Sequence, residues 1–263
     1  LKEISNALAS LPRVTIDGAI SAVLGISEEE LYEQWKRAKI EQYKIVGSQI
    51  APARVEGELI EKEGFGNTFP AFTPDGKKLA YVSNKEQDYF GLSSVYMYDL
   101  ETRTSAKVDL SARSTLSFSP DGRYLYYSKL GRKNGFWAKL SDIYRYDLEK
   151  QNDERLTYGL RAWNPKLSAD GKKIVFAYGS DGTVNLGICD AEGKNVRQVT
   201  KFVNGEQVYT PQWSPDGSVI TFGFSADDKQ SVAVVNEDGS GFKIVVSGVD
   251  ARNPLFSRDG HSL

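Results

Sequence analysis

Phe72-Thr73-Pro74-Asp75-Gly76 is the first of five versions of one short motif in this chain. It returns as Phe118-Ser119-Pro120-Asp121-Gly122, Leu167-Ser168-Ala169-Asp170-Gly171, Trp213-Ser214-Pro215-Asp216-Gly217 and Phe256-Ser257-Arg258-Asp259-Gly260. The glycines stand 46, 49, 46 and 43 residues apart, a regular period that marks an internal repeat. Each motif is a strand end followed by a tight turn. Pro presets φ, Asp accepts turn N–H groups, and Gly supplies a positive φ.

Working outward, an apolar strand follows every turn: Lys78-Leu79-Ala80-Tyr81-Val82, Tyr124-Leu125-Tyr126-Tyr127, Lys173-Ile174-Val175-Phe176-Ala177 and Val219-Ile220-Thr221-Phe222. A third strand carries Val95 to Asp99, Ile143 to Asp147, Leu186 to Asp190 and Val232 to Asn236. A fourth is seen in Glu154-Arg155-Leu156-Thr157, Arg197-Gln198-Val199-Thr200 and Phe242-Lys243-Ile244-Val245. Four antiparallel strands per repeat make a propeller blade, so the fold class is mainly β.

Together the Ser-Pro-Asp-Gly turn, the Tyr-x-Tyr-Asp strand and the Leu-Thr strand resemble the WD-like repeat of the TolB β-propeller family, over about residues 55 to 263. That resemblance implies a six-bladed ring, whereas four complete blades and part of a fifth are legible here. The stretch Glu56 to Glu61 reads as an outer strand of the blade that would close the ring. An open ring leaves unpaired faces, so the expectation is a piece of a longer protein.

Residues 1–50 read as a helical segment and 51–263 as the propeller, with Ala51-Pro52-Ala53 as linker. One helix, Ile16 to Leu24, ends at Gly25; a second starts at a capping box of Ser27 and Glu30 and runs to about Tyr43. Its Leu31, Trp35 and Ala38 form one apolar stripe. Leu24-Gly25-Ile26-Ser27, Glu30-Leu31 and Trp35 resemble the last helices of gluzincin-like metallopeptidase domains. This resemblance implies a remnant of such a domain, whose His-Glu-x-x-His is nowhere in the sequence.

The net charge of −2 disfavours a general nucleic-acid or membrane-surface binder, and no apolar run is long enough to imply membrane insertion. One histidine, His261, and one cysteine, Cys189, cannot assemble a catalytic triad, a typical zinc site or a disulfide. The chain therefore reads as non-catalytic, with no cofactor and no metal. The aspartates Asp75, Asp121, Asp170, Asp216 and Asp259 sit one per blade, which suits turn capping rather than a shared calcium site. His261 reads as an exposed strand-entry residue, and the pairs Tyr96/Tyr98 and Tyr144/Tyr146 as packing between blades.

Blade topology puts the second-to-third loops and the connectors at the end opposite the Asp-Gly turns. There the repeats diverge. The segment Asn84 to Ser93 holds Tyr89 and Phe90. Ser128 to Ser141, read as a long loop, holds Lys129, Arg132, Phe136 and Trp137. The connectors add Arg113, Arg161, Trp163, Tyr209 and Arg252. Aromatics and arginines on loops have the composition of interaction hot spots, and Asn67, Asn164, Thr210 and Asn253 are placed to line the channel mouth. The acids Glu86, Asp88 and Asp142 on or beside these loops oppose a nucleic-acid reading. The expectation is a scaffold for a protein or peptide partner, which the family resemblance would place in the bacterial cell envelope, in the periplasm. The alternative is the accessory or gating propeller of a peptidase whose catalytic domain lies outside this chain.

Overall fold

Four sheets of four antiparallel strands carry the repeats in the computed structural model, which describes residues 1–10, 15–89, 91–108, 110–132, 138–248 and 251–263 and leaves the Arg132 side chain undescribed. The chain divides into two compact units, Leu1–Leu59 and Ile60–Leu263.

The first unit holds α1 (Lys2–Leu8), α2 (Ile16–Leu24) and α3 (Glu28–Ile50). The Thr15 hydroxyl caps α2 by accepting from the Gly18 N–H at 3.1 Å, and Gly25 closes it at a left-handed φ of 73°. Ser27 Oγ caps α3 by accepting from the Glu30 N–H at 3.1 Å. The helix runs seven residues past its expected end and finishes in a 3-10 turn, Ala51–Ala53. Between Tyr43 and Pro52 the strongest helix-disfavouring residue is Gly47, whose cost of about 1 kcal/mol does not stop the helix. Ala19 and Ile20 are the buried residues of these helices, and Trp35 on the α3 stripe is exposed.

In the second unit, blade 1 comprises β1 (Asn67–Phe72), β2 (Lys78–Ser83), β3 (Ser94–Asp99) and β4 (Thr104–Val108). Blade 2 comprises β5 (Ser117–Phe118), β6 (Tyr124–Arg132), β7 (Lys139–Asp147) and β8 (Asn152–Arg155). Blade 3 has β9 (Ala162–Leu167), β10 (Lys173–Ser180), β11 (Thr183–Asp190) and β12 (Arg197–Gln198). Blade 4 has β13 (Gln207–Trp213), β14 (Val219–Ala226), β15 (Lys229–Asn236) and β16 (Lys243–Ser247). In every blade the strands pair in sequence order.

The core is a series of apolar layers between blades, since a blade's two faces both turn toward neighbours. Ala80, Val82 and Val95 meet Leu125, Tyr127 and Tyr144. Ile143 and Leu156 meet Ile174 and Phe176. Val175 and Leu186 meet Trp213, Ile220 and Phe222. Tyr144 and Tyr146 are both buried in these layers, whereas of the other pair Tyr96 is buried and Tyr98 only half-buried.

The repeated turn also joins blades. Pro74 lies against Gly122, Pro120 against Gly171 and Pro215 against Gly260. Where the third repeat has Ala169 in place of Pro, Gly217 has no such neighbour. The fifth turn is therefore seated like the others, with the Ser257 N–H donating to the Ser262 carbonyl at 2.9 Å.

Two expectations change. Glu56 to Glu61 is not a strand: a strand needs a ladder partner, and this segment is paired into none of the four sheets. The supposed loop from Ser128 to Ser141 is largely a hairpin, with β6 paired to β7 from Tyr124 through Arg132.

Candidate functional site: the connector end and the central cavity

At the turn end, the five aspartates act alike. Thr73, Ser119, Ser168, Ser214 and Ser257 each donate a hydroxyl hydrogen bond of 2.5–2.6 Å to the aspartate two residues on. The residue after each glycine donates its backbone N–H to the same oxygen at 3.0–3.1 Å. With Gly76, Gly122, Gly171, Gly217 and Gly260 all at φ 69–75°, these are turn caps. The single histidine, His261, is exposed and supplies one of those N–H groups. Cys189 is buried, which pushes its thiol up to about 12.

The hydroxyl and N–H donors hold all five carboxyls below the usual aspartate range, Asp216 at about 2. A depressed folded pKa stabilises the fold above the unfolded value of about 4 and loses that contribution as pH falls through the folded value. The melting temperature should therefore hold from pH 7 to 5 and drop between about pH 4 and pH 2. Asp216→Asn should flatten the drop. Calorimetry across this range checks it; a melting temperature unchanged down to pH 2 would contradict it.

The opposite end is built where second-to-third loops meet connectors. Asn84 Oδ1 accepts from the Phe65 and Gly66 N–H groups at 2.9 and 3.0 Å. Ser93 Oγ donates to the Ala112 carbonyl at 2.6 Å, and the Arg113 guanidinium donates to the Gly91 carbonyl. Between them lies an open depression of about 650 Å³, lined by Phe65, Phe69, Val82 and Ala112 among others. Phe65 is 85% exposed and Tyr89 75%.

The expected contact residues are not alike. Arg161 is exposed at a left-handed φ of 55°. Arg252 is exposed, with Nε donating to Gln230 Oε1 at 2.7 Å. Tyr209 is 38% exposed and lies over Gly223. Trp163, eight residues before its turn glycine as Tyr209 is, packs partly buried against the layer between blades 3 and 4. Phe90, Phe136, Trp137 and the Arg132 side chain lie outside the described residues.

Two side chains read as free surface charges are engaged within the blades, Lys129 half-buried and Asp142 wholly buried. Lys129 is paired with Asp153 and stands 4.5 Å from the centre of the Tyr144 ring. Asp142 is fully buried: Oδ1 accepts from Thr157 Oγ1 at 2.9 Å and the Leu160 N–H at 3.0 Å. Its Oδ2 accepts from Arg155 Nη2 at 2.6 Å and the Gly159 N–H at 2.9 Å. Asp142 thus fixes a connector and is not a repulsive surface acid. Asn185, five residues before the end of β11 as Asp142 is before the end of β7, does the same with Thr200 and Phe202. In blades 2 and 3 the threonine that follows the fourth strand, Thr157 or Thr200, thereby ties the connector to the third strand.

Three of the four residues expected at the channel mouth, Asn164, Thr210 and Asn253, share one repeat position and one backbone kink. Positions seven before the turn glycine are Phe69, Asn164, Thr210 and Asn253, all at φ 42–54° and all followed by proline. In the second repeat Leu116 replaces that proline, and β5 is only two residues long. The bulge in β1, β9 and β13 falls at this kink. Inner strands are cross-linked there: Asn164 Oδ1 accepts from the Thr115 N–H at 3.3 Å, and Thr210 Oγ1 donates to Asn253 Oδ1 at 2.9 Å. Asn67 lies outside this column, donating to the Glu63 carbonyl at 3.0 Å. The inner strands enclose a cavity of about 500 Å³ whose lining includes Ser117, Lys166, Gln212 and Asn253. The proline six residues before four of the five glycines was the available signal. Among the described residues, no cluster of three metal-ligating side chains is present.

Comparison with known proteins agrees with this architecture. The model of the TolB beta propeller domain matches residues 43–259. Dipeptidyl-peptidase 5 of Porphyromonas endodontalis is 34% identical over 100 residues, 34% of this chain and 14% of that protein. The Tol-Pal system protein TolB of Francisella tularensis is 29% identical over 143 residues, 53% of this chain and 31% of that protein. The chain thus spans less than half the length of these curated relatives. An Agrobacterium tumefaciens structure carrying the TolB name superposes with a TM-score of 0.61 at 24% identity, covering 75% of this chain and 74% of that one. Oligogalacturonate lyase from Vibrio parahaemolyticus superposes at 0.55 and 16% identity, covering 76% and 58%. At these identities the two structures speak for the fold alone.

Proposed function

Because the chain belongs to the TolB β-propeller family, we propose that it is a non-catalytic scaffold that binds a protein or peptide partner in the bacterial cell envelope, at the connector end of its blades. The observation that carries this reading is the largely apolar depression lined by Phe65 and by Asn84, Gly91 and Ser93 of the second-to-third loop, the loop on which Tyr89 is also largely exposed. Large exposed aromatics beside an apolar depression favour a partner that covers them. Tyr209, Arg161, Arg252 and Trp163, with Phe90, Arg132, Phe136 and Trp137, are the further candidate contacts. A periplasmic location accords with the Tol-Pal relative and with the absence, among the described residues, of a helix long and apolar enough to cross a membrane.

The test uses the immobilised chain and envelope extract. Phe65→Ser with Tyr89→Ser changes two exposed side chains, so the fold should persist by circular dichroism. Capture of the partner should fall at least tenfold, about 1.4 kcal/mol or more. Capture at the unaltered level by a folded double variant would overturn the reading.

The likeness to a dipeptidyl-peptidase over 100 residues supports a second reading, an accessory propeller that gates substrate for a peptidase domain outside this chain. The gluzincin-like helices belong to this version, which requires an upstream His-Glu-x-x-His in the full gene product. Its absence there removes the upstream form.

A further inference from the structure

We propose that Lys166, with Gln212 and Ser117 on the flanking blades, forms a subsite for a carboxylate group inside the central cavity. The inference is independent of the partner reading, since it concerns the ring's axis and not the connector end. All three residues stand five positions before their turn glycine, so the repeat sets them at one height on three consecutive inner strands.

Lys166 is the sole charged side chain among the described residues lining the cavity. No described residue pairs with its ammonium, although ion pairs elsewhere serve lysines 36, 44, 78, 85, 129, 172 and 173. Burial pushes its pKa below the usual lysine range, and no neighbouring charge opposes that effect. An ammonium so placed is stabilised by an anion entering the cavity.

The neighbours supply donors. Ser117 Oγ accepts from the Leu167 N–H at 3.0 Å, and no described acceptor takes its own hydrogen. Gln212 Oε1 is enclosed and without a donor among the described residues, and its amide group is the donor that the flanking strand offers. One cation flanked by neutral donors matches the single charge of a carboxylate. A phosphate dianion would call for a second cation, as its usual sites provide. The lining is otherwise Pro70, Phe72, Leu116 and similar apolar groups, which leave a carboxylate few competing polar contacts. The group could belong to a small acid or to the C-terminus of a peptide.

The experiment titrates the full chain with N-acetylglycine, N-acetylglycinamide, inorganic phosphate, and trialanine with a free or amidated C-terminus. Two readouts apply. Trp213 Nε1 donates to the Lys166 carbonyl at 3.0 Å, so indole emission reports locally. Mass spectrometry follows acetylation of Lys166 by an amine-reactive ester. Saturating N-acetylglycine or free trialanine should slow that acetylation at least fivefold, and their amides should not. Protection by free trialanine alone assigns the group to a peptide terminus; protection by both assigns it to carboxylates in general. Lys166→Met should weaken binding at least tenfold, with Lys166→Arg retaining it. Equal protection by the amides, tighter binding of phosphate, or unchanged affinity in a folded Lys166→Met chain would overturn the proposal. Because acetylation is read on the unaltered chain, a Lys166→Met variant that fails to fold leaves the decision to that readout.

Discussion

Asp142→Ala should destabilise the propeller by about 4 kcal/mol, near the middle of the range for breaking a buried charge pair. The side chain is fully enclosed and accepts four hydrogen bonds from Arg155, Thr157, Gly159 and Leu160. Alanine leaves the mostly buried Arg155 guanidinium without its anion and two connector N–H groups without acceptors. The two N–H groups belong to half-buried residues, so water entering the gap replaces most of what they lose and the total stays near the charge-pair figure. Asp142→Asn should cost less, because one oxygen still accepts from Thr157 and Leu160. Blade 3 manages with Asn185 at the matching position, where no arginine needs a counter-charge. Urea unfolding monitored by circular dichroism gives both values; a loss under 1 kcal/mol for the alanine variant would contradict this account.

Glu61→Ala is expected to cost about 3 kcal/mol, again through a stranded charge. Lys85 is 8% exposed, its ammonium paired with Glu61 and 4.2 Å from the centre of the Tyr96 ring. The Tyr81 hydroxyl donates to Glu61 Oε2 at 2.6 Å. Burial would raise the Glu61 carboxyl, yet the donors from Lys85 and Tyr81 outweigh it and hold the group at about 2. Without Glu61 the lysine keeps only its ring contacts and hydroxyl partners. Adding Lys85→Met should recover most of the loss, since an apolar side chain of similar length suits the tyrosine-lined site. Hydrogen exchange at residues 61–66 should rise in the single variant and return toward the parent in the double one. A double variant no more stable than the single one would show that the charge is not the cause.

The blades were legible because their signals are local and repeated. Pro, Asp and Gly specify a turn within five residues, and the apolar runs around Tyr96 and Phe176 mark strands buried on both faces. Helix caps at Gly25 and Ser27 were legible for the same reason. What escaped the sequence depends on neighbours far along the chain. Glu56 to Glu61 has a strand-like composition but no described strand to pair with. Asp142 has the composition of a surface acid until Arg155 and the Gly159 N–H close over it. Lys166 looks like any solvent-facing residue of an alternating strand; only the neighbouring blades show that it lines a cavity shared by the inner strands. The proline column was visible in the sequence, yet its left-handed partner residue has no local signature at Phe69 or Thr210.

The central claim is that a partner sits on the connector end, and hydrogen exchange of the chain with and without its captured partner tests it most directly. The account predicts at least fivefold slower exchange at residues 65–69, 84–89, 110–113 and 205–210, with the Asp-Gly turns at 73–77, 119–123, 168–172 and 214–218 unchanged. Protection centred on those turns, with the connector segments unaffected, would contradict it.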